Sequence, residues 1–413
     1  MGLYLSECRE CIMKTLLFNM ILLISIVLLG MPLQVISDPP KAQVLSFSQS
    51  NEFKEYKKSQ AVQYSSFVAQ SKSEFDQWLD INNKQFKTFK NTIVREWGEY
   101  ASSSNKQWVE FSPDTKSCGI VDFAKGTVTV ETLMRPNNTS ENAVKKELAK
   151  AIERTLTSKG AVSAIPICSQ DSIACALTRP VLADQVVADN GTIVTSKDVD
   201  AFAKQTVENA DITASPVPDG SSEKYVLKFT LTPDHLARRM APFLPIVKEY
   251  CQKYDLYPAH VLAMIHTESY FNPMARSAEN AIGLMQLVPE KGAREAWQFI
   301  NREQTAMPRI EYLYDPKTNI ELGCTYLYIL KTRVFREVLN KDCCMYCSIA
   351  GYNTGSGNVA YAFVGERKLA PAIQAINSIN DADKVYYQLV HKLPIMETRN
   401  YLENVIERVH LYQ

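Results

Sequence analysis

A stretch bounded by two prolines, Pro258 and Pro273, limits the fold more than any other feature of the sequence. Proline is tolerated in the first turn of a helix, whereas a proline further on forces the helix to end before it. The stretch between them therefore predicts one short helix. The residues spaced i, i+3, i+4 and i+7 on a single face of it are Val261, Met264, Ile265 and Glu268.

Glu268 continues an apolar face, which is unusual for a carboxylate because burying a charge is costly. Burial raises the pKa of a carboxyl group, and a raised pKa suits a general acid that works near neutral pH. The sequence thus makes Glu268 a candidate catalytic acid. The alternative is that Glu268 lies at the edge of the face and reaches solvent.

Charge and composition exclude some classes of protein. The 413 residues include 45 Lys and Arg against 45 Asp and Glu, so the formal net charge is zero and a nucleic-acid partner is not expected. Hydrophobic residues at 46% and aromatic residues at 10% are typical of a folded chain. This length predicts two or three domains.

The N-terminus has the pattern of an export signal. Lys14 precedes an apolar run over residues 16–33, and small or modest residues then precede Asp38. We expect residues 1–37 to be a cleaved signal peptide and the mature protein to be periplasmic. The alternative is an uncleaved membrane anchor, since the run approaches spanning length. No Cys stands at the end of the run, so a lipid-anchored N-terminus is not supported.

Eight cysteines lie beyond the predicted signal peptide, and an even number in an exported protein favours disulfides. We expect at least one of Cys343, Cys344 and Cys347 to be in a disulfide. A zinc site is the weaker interpretation of these three, because no His is close by and no second CxxC exists. No metal or organic cofactor is expected.

The periodicity of the chain divides it into two parts. Residues 38–232 are predicted to form an α+β domain with a long helix near 51–101, a hairpin over 106–134, helices near 139–157 and 196–209, and strands near 181–187, 193–194 and 225–231. Residues 233–413 are predicted to be nearly all helical.

The helical part resembles the Slt-type lytic transglycosylases, which have a goose-type lysozyme-like fold. The resemblance rests on motifs that occur in the family's order: Glu268-Ser269, Phe271-Asn-Pro273, Ala275-Arg-Ser277, Gly283-Leu-Met-Gln286, Tyr314-Asp-Pro-Lys-Thr-Asn-Ile320, Ala350-Gly-Tyr-Asn353 and Glu397-Thr-Arg-Asn-Tyr401. The N-terminal half resembles the accessory domain of the membrane-bound lytic murein transglycosylase C family, most clearly over residues 123–133.

The resemblance implies cleavage of peptidoglycan between N-acetylmuramic acid and N-acetylglucosamine, with Glu268 as acid and then as base. The C6 hydroxyl of the muramic acid would attack internally and give a 1,6-anhydro product. The substrate-binding residues that the resemblance implies are Ser277, Gln286, Tyr352, Asn353 and Tyr401. Tyr352 is expected to hydrogen-bond the acid or a sugar.

Two other functions remain open at this stage. One is a muramidase that adds water, and the other is a non-catalytic scaffold that binds the cell wall. The expected partners are peptidoglycan glycan strands, and association with the outer membrane or with a cell-wall-spanning complex is left open.

Overall fold

The computed structural model describes residues 51–136, 139–160, 179–277, 279–302, 308 and 310–413. The predicted signal peptide lies outside them, as do Cys168 and Cys175. The chain divides into two compact units, of which the second is Phe75–Gln413. The described part of the first unit, residues 51–74, is helical. Within the described residues, every helix is too short or too polar to cross a bilayer.

The N-terminal half is an antiparallel sheet with helices, as the sequence predicts. Helix α1 is Asn51–Trp97. The five strands, in spatial order β1-β2-β3-β5-β4, are β1 (Gln107–Phe111), β2 (Ser117–Asp122), β3 (Thr127–Met134), β5 (Glu223–Thr230) and β4 (Thr213–Pro216). Helix α2 is Glu141–Thr157 and α3 is Val199–Asn209. The predicted capping residue Ser140 accepts a hydrogen bond from the Ala143 N–H at 3.3 Å.

Apolar residues pack against both faces of this sheet, because alternate residues of a strand point to opposite faces. On β3, Val128 and Val130 belong to the main core, whereas Leu133 joins a smaller cluster with Ile93 and Trp97 of α1. Trp97, near the end of α1, therefore belongs to this smaller core, and Phe89 packs against it.

Two details of the predicted sheet are wrong. Residues 181–187 and 193–194 are turns joined by one isolated bridge between Val187 and Ile193, although strands were expected there. Val181 and Leu182 are apolar because they are buried in the main core, without a strand beside them. The short edge strand β4, whose side chains are exposed, was not predicted.

The C-terminal half is helical, as predicted. The helices are α4 (His235–Met240), α5 (Leu244–Tyr254), α6 (Pro258–Ser269), α7 (Gly292–Asn301), α8 (Ile310–Tyr314), α9 (Pro316–Ile329), α10 (Lys341–Thr354), α11 (Ser356–Val364), α12 (Leu369–Ile379), α13 (Ala382–Lys392) and α14 (Met396–Val409). A π-helical turn, Leu330–Val334, continues α9. The sequence did not predict α4, α7 or α8.

The two halves share buried side chains. One cluster runs from Trp108 and Val121 near the sheet to Leu402 and Val405 of α14. The boundary that the sequence predicts between residues 232 and 233 lies inside the second compact unit and remains a proposal.

The cysteine prediction needs correction. Cys343, Cys344 and Cys347 are buried free thiols, as are Cys118, Cys251 and Cys324. All three of the first group lie on α10 and are packed in the core, and the Cys344 thiol donates to the Phe335 carbonyl oxygen at 3.5 Å. The expected disulfide involving Cys343, Cys344 or Cys347 is therefore absent among the described residues.

Candidate active site

Glu268 stands at the C-terminal end of α6. Pro258 occupies the first turn, as the sequence predicts, and the helix ends at Ser269 because Tyr270 and Phe271 adopt left-handed backbone angles with φ of 52° and 57°. The other residues of its face, Val261, Met264 and Ile265, are fully buried. Glu268 itself is partly exposed, so its carboxyl group lies between the core and an open surface.

The surroundings of Glu268 favour its protonated form. Loss of water around the carboxyl group raises its pKa to about 8, and the charge of Glu397 on α14 acts in the same direction. The nearby Tyr401 hydroxyl opposes the shift because it stabilises the carboxylate. At neutral pH the group can therefore donate a proton, and it becomes a base once that proton is lost.

A tight loop forms a second wall of the site. Ile282 and Leu287 exchange two main-chain hydrogen bonds of 3.0 Å, and the loop between them runs from Gly283 to Gln286. Gly283 has a φ of 76°, and a Cβ atom there would lie 2.4 Å from the Leu313 carbonyl oxygen. This position therefore requires glycine for both backbone angle and space.

Two hydrogen bonds tie this loop to the helices that carry the candidate residues. The Ser269 hydroxyl, next to Glu268, donates to the Leu284 carbonyl oxygen at 2.8 Å. The Tyr352 hydroxyl of α10 donates to the Met285 carbonyl oxygen at 2.9 Å.

Asn319 of α9, 1% exposed, holds the same loop from below. Its side-chain oxygen accepts the Met285 N–H at 2.8 Å, and its amide nitrogen donates to the carbonyl oxygens of Ile282 (2.9 Å) and Leu313 (2.7 Å). One amide side chain thus pairs three buried main-chain groups that no regular element would satisfy.

The two predicted tyrosines lie beside Glu268 in different ways. Tyr352 donates to Met285 rather than to the acid in this structure, and the expected contact of its hydroxyl with the acid or a sugar remains a proposal. The Tyr401 hydroxyl is buried, close to the Glu268 carboxyl group, and makes no hydrogen bond of normal geometry. Burial and the Glu268 charge raise the pKa of both tyrosines, which therefore remain proton donors.

Gln286 and Asn353 are placed at the surface of the same region. The Gln286 side-chain nitrogen donates to the Gly283 carbonyl oxygen at 3.0 Å, and the residue is partly exposed. Asn353 is exposed, and its side-chain oxygen accepts from the Thr398 hydroxyl of α14 at 2.8 Å. Its amide nitrogen is left free to donate outward.

Ser277 stands apart from this group. Its hydroxyl oxygen accepts the main-chain N–H groups of Glu279 and Ala281, both at 3.1 Å, so it supports a turn. No contact among the described residues joins it to Glu268.

Sequence reasoning assigned no role to Ser269, Asn319 or Glu397, although each lies in a motif quoted above. No local signal marks Asn319, because Lys317, Thr318 and Glu321 beside it are polar as well. The described residues contain no group of three or more His, Cys, Asp or Glu side chains suited to a metal ion.

Two family models match the chain. The transglycosylase SLT domain matches residues 245–373, and the N-terminal domain of membrane-bound lytic murein transglycosylase C matches residues 51–241.

Curated relatives and a solved structure extend this likeness. Membrane-bound lytic murein transglycosylase C of Haemophilus influenzae is 30% identical over 332 residues, which is 80% of this chain and 87% of the relative. The protein of that name from Pectobacterium atrosepticum is 30% identical over 320 residues, 77% of this chain and 86% of the relative. The 70-kDa soluble lytic transglycosylase of Escherichia coli aligns over 43% of this chain and 25% of its own length, at 26% identity and a TM-score of 0.33.

The match to the Haemophilus protein runs through both halves of the chain. The candidate acid, the loop that faces it and Tyr352 lie within residues 245–373, which match the SLT domain, and Tyr401 lies beyond them. The chain is therefore a lytic murein transglycosylase that belongs to the membrane-bound lytic murein transglycosylase C family.

Proposed function

We propose that this enzyme cleaves the β-1,4 bond between N-acetylmuramic acid and N-acetylglucosamine in peptidoglycan and releases a 1,6-anhydro-muramic acid end. The observation that carries the proposal is the state of Glu268, a carboxyl group whose pKa is raised to about 8 by burial at the edge of an open surface. Such a group is protonated at neutral pH and ready to act as a general acid.

In the first step, the Glu268 carboxyl gives its proton to the glycosidic oxygen, which leaves as the C4 hydroxyl of N-acetylglucosamine. In the second step, the carboxylate accepts the proton of the C6 hydroxyl, and that oxygen bonds to C1 of the same muramic acid. Proton and charge then balance with one protein carboxyl. The internal nucleophile is already close to C1, so proximity supplies much of the acceleration.

Tyr401 is proposed to steady the Glu268 carboxylate after the first step, because its hydroxyl is close and otherwise unpaired. Gln286 and Asn353 are proposed to bind sugar groups through their exposed amides. Tyr352 is proposed to hold the loop that faces the substrate, through its hydrogen bond to the Met285 carbonyl oxygen. Ser277 is proposed to contact the substrate. The alternative is that its hydroxyl only stabilises the turn.

Hydrolysis is a second candidate because a second carboxylate, that of Glu397, is close enough to raise the Glu268 pKa. A retaining hydrolase usually places its two carboxyl groups about 5 Å apart, and an inverting one places them further apart to hold a water. Glu397 is exposed on α14, where it would have to activate water or attack C1.

We further propose that the protein is exported, with residues 1–37 removed, and that it acts in the periplasm on glycan strands. The relatives are named membrane-bound. Sequencing the N-terminus of the protein recovered from the envelope, together with fractionation of membranes, tests cleavage before Asp38 and any membrane association.

Mass spectrometry of the soluble fragments released from purified sacculi tests the reaction, with the wild type, Glu268→Gln and Glu397→Gln compared. Anhydro products from the wild type and Glu397→Gln, and none from Glu268→Gln, would support the proposal. Products heavier by one water that disappear in Glu397→Gln would establish hydrolysis. Retention on sacculi with no release by any of the three would favour a scaffold.

A further inference from the structure

A cavity of about 270 Å³ lies between the two halves of the second compact unit, away from the tyrosines and the loop of the candidate active site. One side is formed by residues 179–185 and by Arg239 of α4, and the other by Phe271, Pro273 and the start of α9. This volume is enough for several water molecules or for a small ligand. Most of its wall is apolar, including Val181, Phe243 and Ile246.

Arg239 gives this cavity its charge. The residue is 4% exposed. Its Nε donates to the Tyr270 carbonyl oxygen and its Nη1 donates to the Gln185 side-chain oxygen, both at 2.6 Å. The guanidinium carbon lies 4.3 Å from the centre of the Phe123 ring. Its Nη2 is buried and has no hydrogen-bond partner.

Arg239 has no carboxylate within ion-pair distance among the described residues. The other cations of the wall are already paired, Arg179 with Asp184, Arg238 with Asp234 and Lys317 with Glu249. The acid in the wall, Asp315, caps α9 by accepting from the N–H of Thr318. A buried cation with no counter-charge is costly, so an anion in this cavity would relieve a cost that the protein alone bears.

We propose that this cavity binds the terminal carboxylate of a short peptide, with Arg239 as the charge partner and the apolar wall in contact with small alkyl side chains. The proposal rests on the proposed function in its choice of peptide, since the stems of peptidoglycan are short peptides with carboxylate groups. A free peptide from the periplasm would present the same group. Nε and Nη1 of Arg239 already donate within the protein, so Nη2 is the nitrogen that would donate to the carboxylate, and a hydrogen bond between two charged groups is stronger than one between neutral groups.

Calorimetry on the full chain carrying Glu268→Gln tests binding without turnover. The probes are N-acetyl-D-alanyl-D-alanine and its C-terminal amide. We expect the acid to bind in the millimolar range and the amide at least tenfold more weakly. Arg239→Lys should weaken binding of the acid at least tenfold, whereas Arg336→Lys, an exposed arginine away from the cavity, should leave it unchanged within twofold.

Ile246→Trp provides a second test that leaves Arg239 in place. A tryptophan at Ile246 would fill part of the cavity and should abolish binding of the acid. Absence of binding at 10 mM peptide by a folded chain, equal binding of the amide, or unchanged binding by Ile246→Trp would each overturn the proposal. The release of fragments from sacculi by the wild type is measured separately, so failure here leaves the proposed function standing.

The source of the peptide is decided by retention on sacculi. Intact sacculi are compared with sacculi whose stems an amidase has removed. If the stems are the ligand, Arg239→Lys should reduce retention on intact sacculi only. If retention is the same on both while the probe still binds, the ligand is a free peptide.

Discussion

Glu268 combines two properties that are seldom found on one side chain, a raised pKa and access to an open surface. The raised pKa follows from where α6 ends, because the last turn of the helix leaves the carboxyl group against α14 and away from most solvent. If Glu268 is the general acid, as we propose, its pKa sets the upper end of the pH range in which the enzyme works.

We expect kcat/KM for sacculus cleavage to fall as pH rises through about 8, by about tenfold per pH unit above it. The sign follows from the first step, which needs the protonated carboxyl, and the pKa of that group is raised to about 8. A pH profile of product release checks this. A decline that begins near pH 5 instead would show that the carboxyl group has an ordinary pKa.

Glu268→Gln should make the protein more stable near neutral pH, although inactive. In the unfolded chain Glu268 has an ordinary pKa, so between about 4.5 and 8 folding must take up a proton and stability falls as pH rises. Glutamine at position 268 does not titrate, so the variant avoids this loss of stability. We expect a gain of about 3 kcal/mol at pH 7 that vanishes toward pH 4.5.

Urea unfolding at a series of pH values measures this gain. Glu397→Gln, an exposed change nearby, serves as the control and should alter the free energy of unfolding by less than about 0.5 kcal/mol. Equal stability of wild type and Glu268→Gln across the range would contradict the prediction.

Tyr401→Phe should shift the alkaline decline of activity to higher pH, because the hydroxyl lowers the pKa of Glu268 and its loss lets that pKa rise. Stability should change by less than about 0.5 kcal/mol, since the buried hydroxyl has no hydrogen bond of normal geometry to lose.

The matched variant is Tyr352→Phe, which loses the hydrogen bond to Met285 and should cost about 1–2 kcal/mol. Thermal unfolding and the pH profile are measured for both. If activity of Tyr401→Phe declines at a lower pH than activity of the wild type, this role for the hydroxyl is contradicted.

At the scale of elements, the loop from Gly283 to Gln286 is held by side chains from α6, α9 and α10 (Ser269, Asn319 and Tyr352). Of these helices, α6 carries Glu268, and α10 carries Tyr352 and Asn353. The loop therefore fixes how far apart these helices stand at the site.

Gly283→Ala tests this closeness. The new Cβ atom would lie 2.4 Å from both the Leu313 carbonyl oxygen and the Asn319 side-chain nitrogen, so the loop must move. We expect a loss of about 2–4 kcal/mol in the free energy of unfolding, with activity reduced.

Gly365→Ala is the matched control. Gly365 has a similar φ of 70° but no atom within 4 Å of the added carbon, so only the cost of its backbone angle, about 1 kcal/mol, is expected. Urea unfolding measures both variants. Equal losses of unfolding free energy would show that the close approach at Gly283 does not contribute to the effect.

The local signals in the sequence explain which elements could be predicted. Pro258 and Ser140 mark helix starts by rules that depend only on the backbone nearby, and the alternation over 127–133 marks a strand in the same way. The prediction of a strand over residues 181–187 was wrong because burial in a core gives the same apolar pattern as a strand. The role of Asn319 depends on Leu313 and Met285 meeting in space, which no local pattern records.

At the scale of the whole molecule, Arg239 joins the two halves through contacts with Gln185 and Phe123 on one side and Tyr270 on the other. Tyr270 is two residues from Glu268 and ends its helix. The N-terminal half thus contacts the end of the Glu268 helix through Arg239, and the shared core continues that contact.

Gln185→Leu should lower the free energy of unfolding by about 1–3 kcal/mol, because the buried Arg239 guanidinium loses one of its hydrogen-bond acceptors. Gln205→Leu, an exposed glutamine on α3, should change it by less than about 0.5 kcal/mol. Urea unfolding measures both. A loss for Gln185→Leu no greater than for Gln205→Leu would show that this contact does not join the halves.

The way Asn319 holds Met285 has a consequence for deuterium exchange. The Met285 N–H lies in an irregular loop, where amides usually exchange fast, yet it is bonded to a buried side chain of another element. It can take up deuterium only when the loop parts from α9, because fraying of a helix end would not release it. The labelling rate of this one amide therefore counts how often the wall beside Glu268 opens.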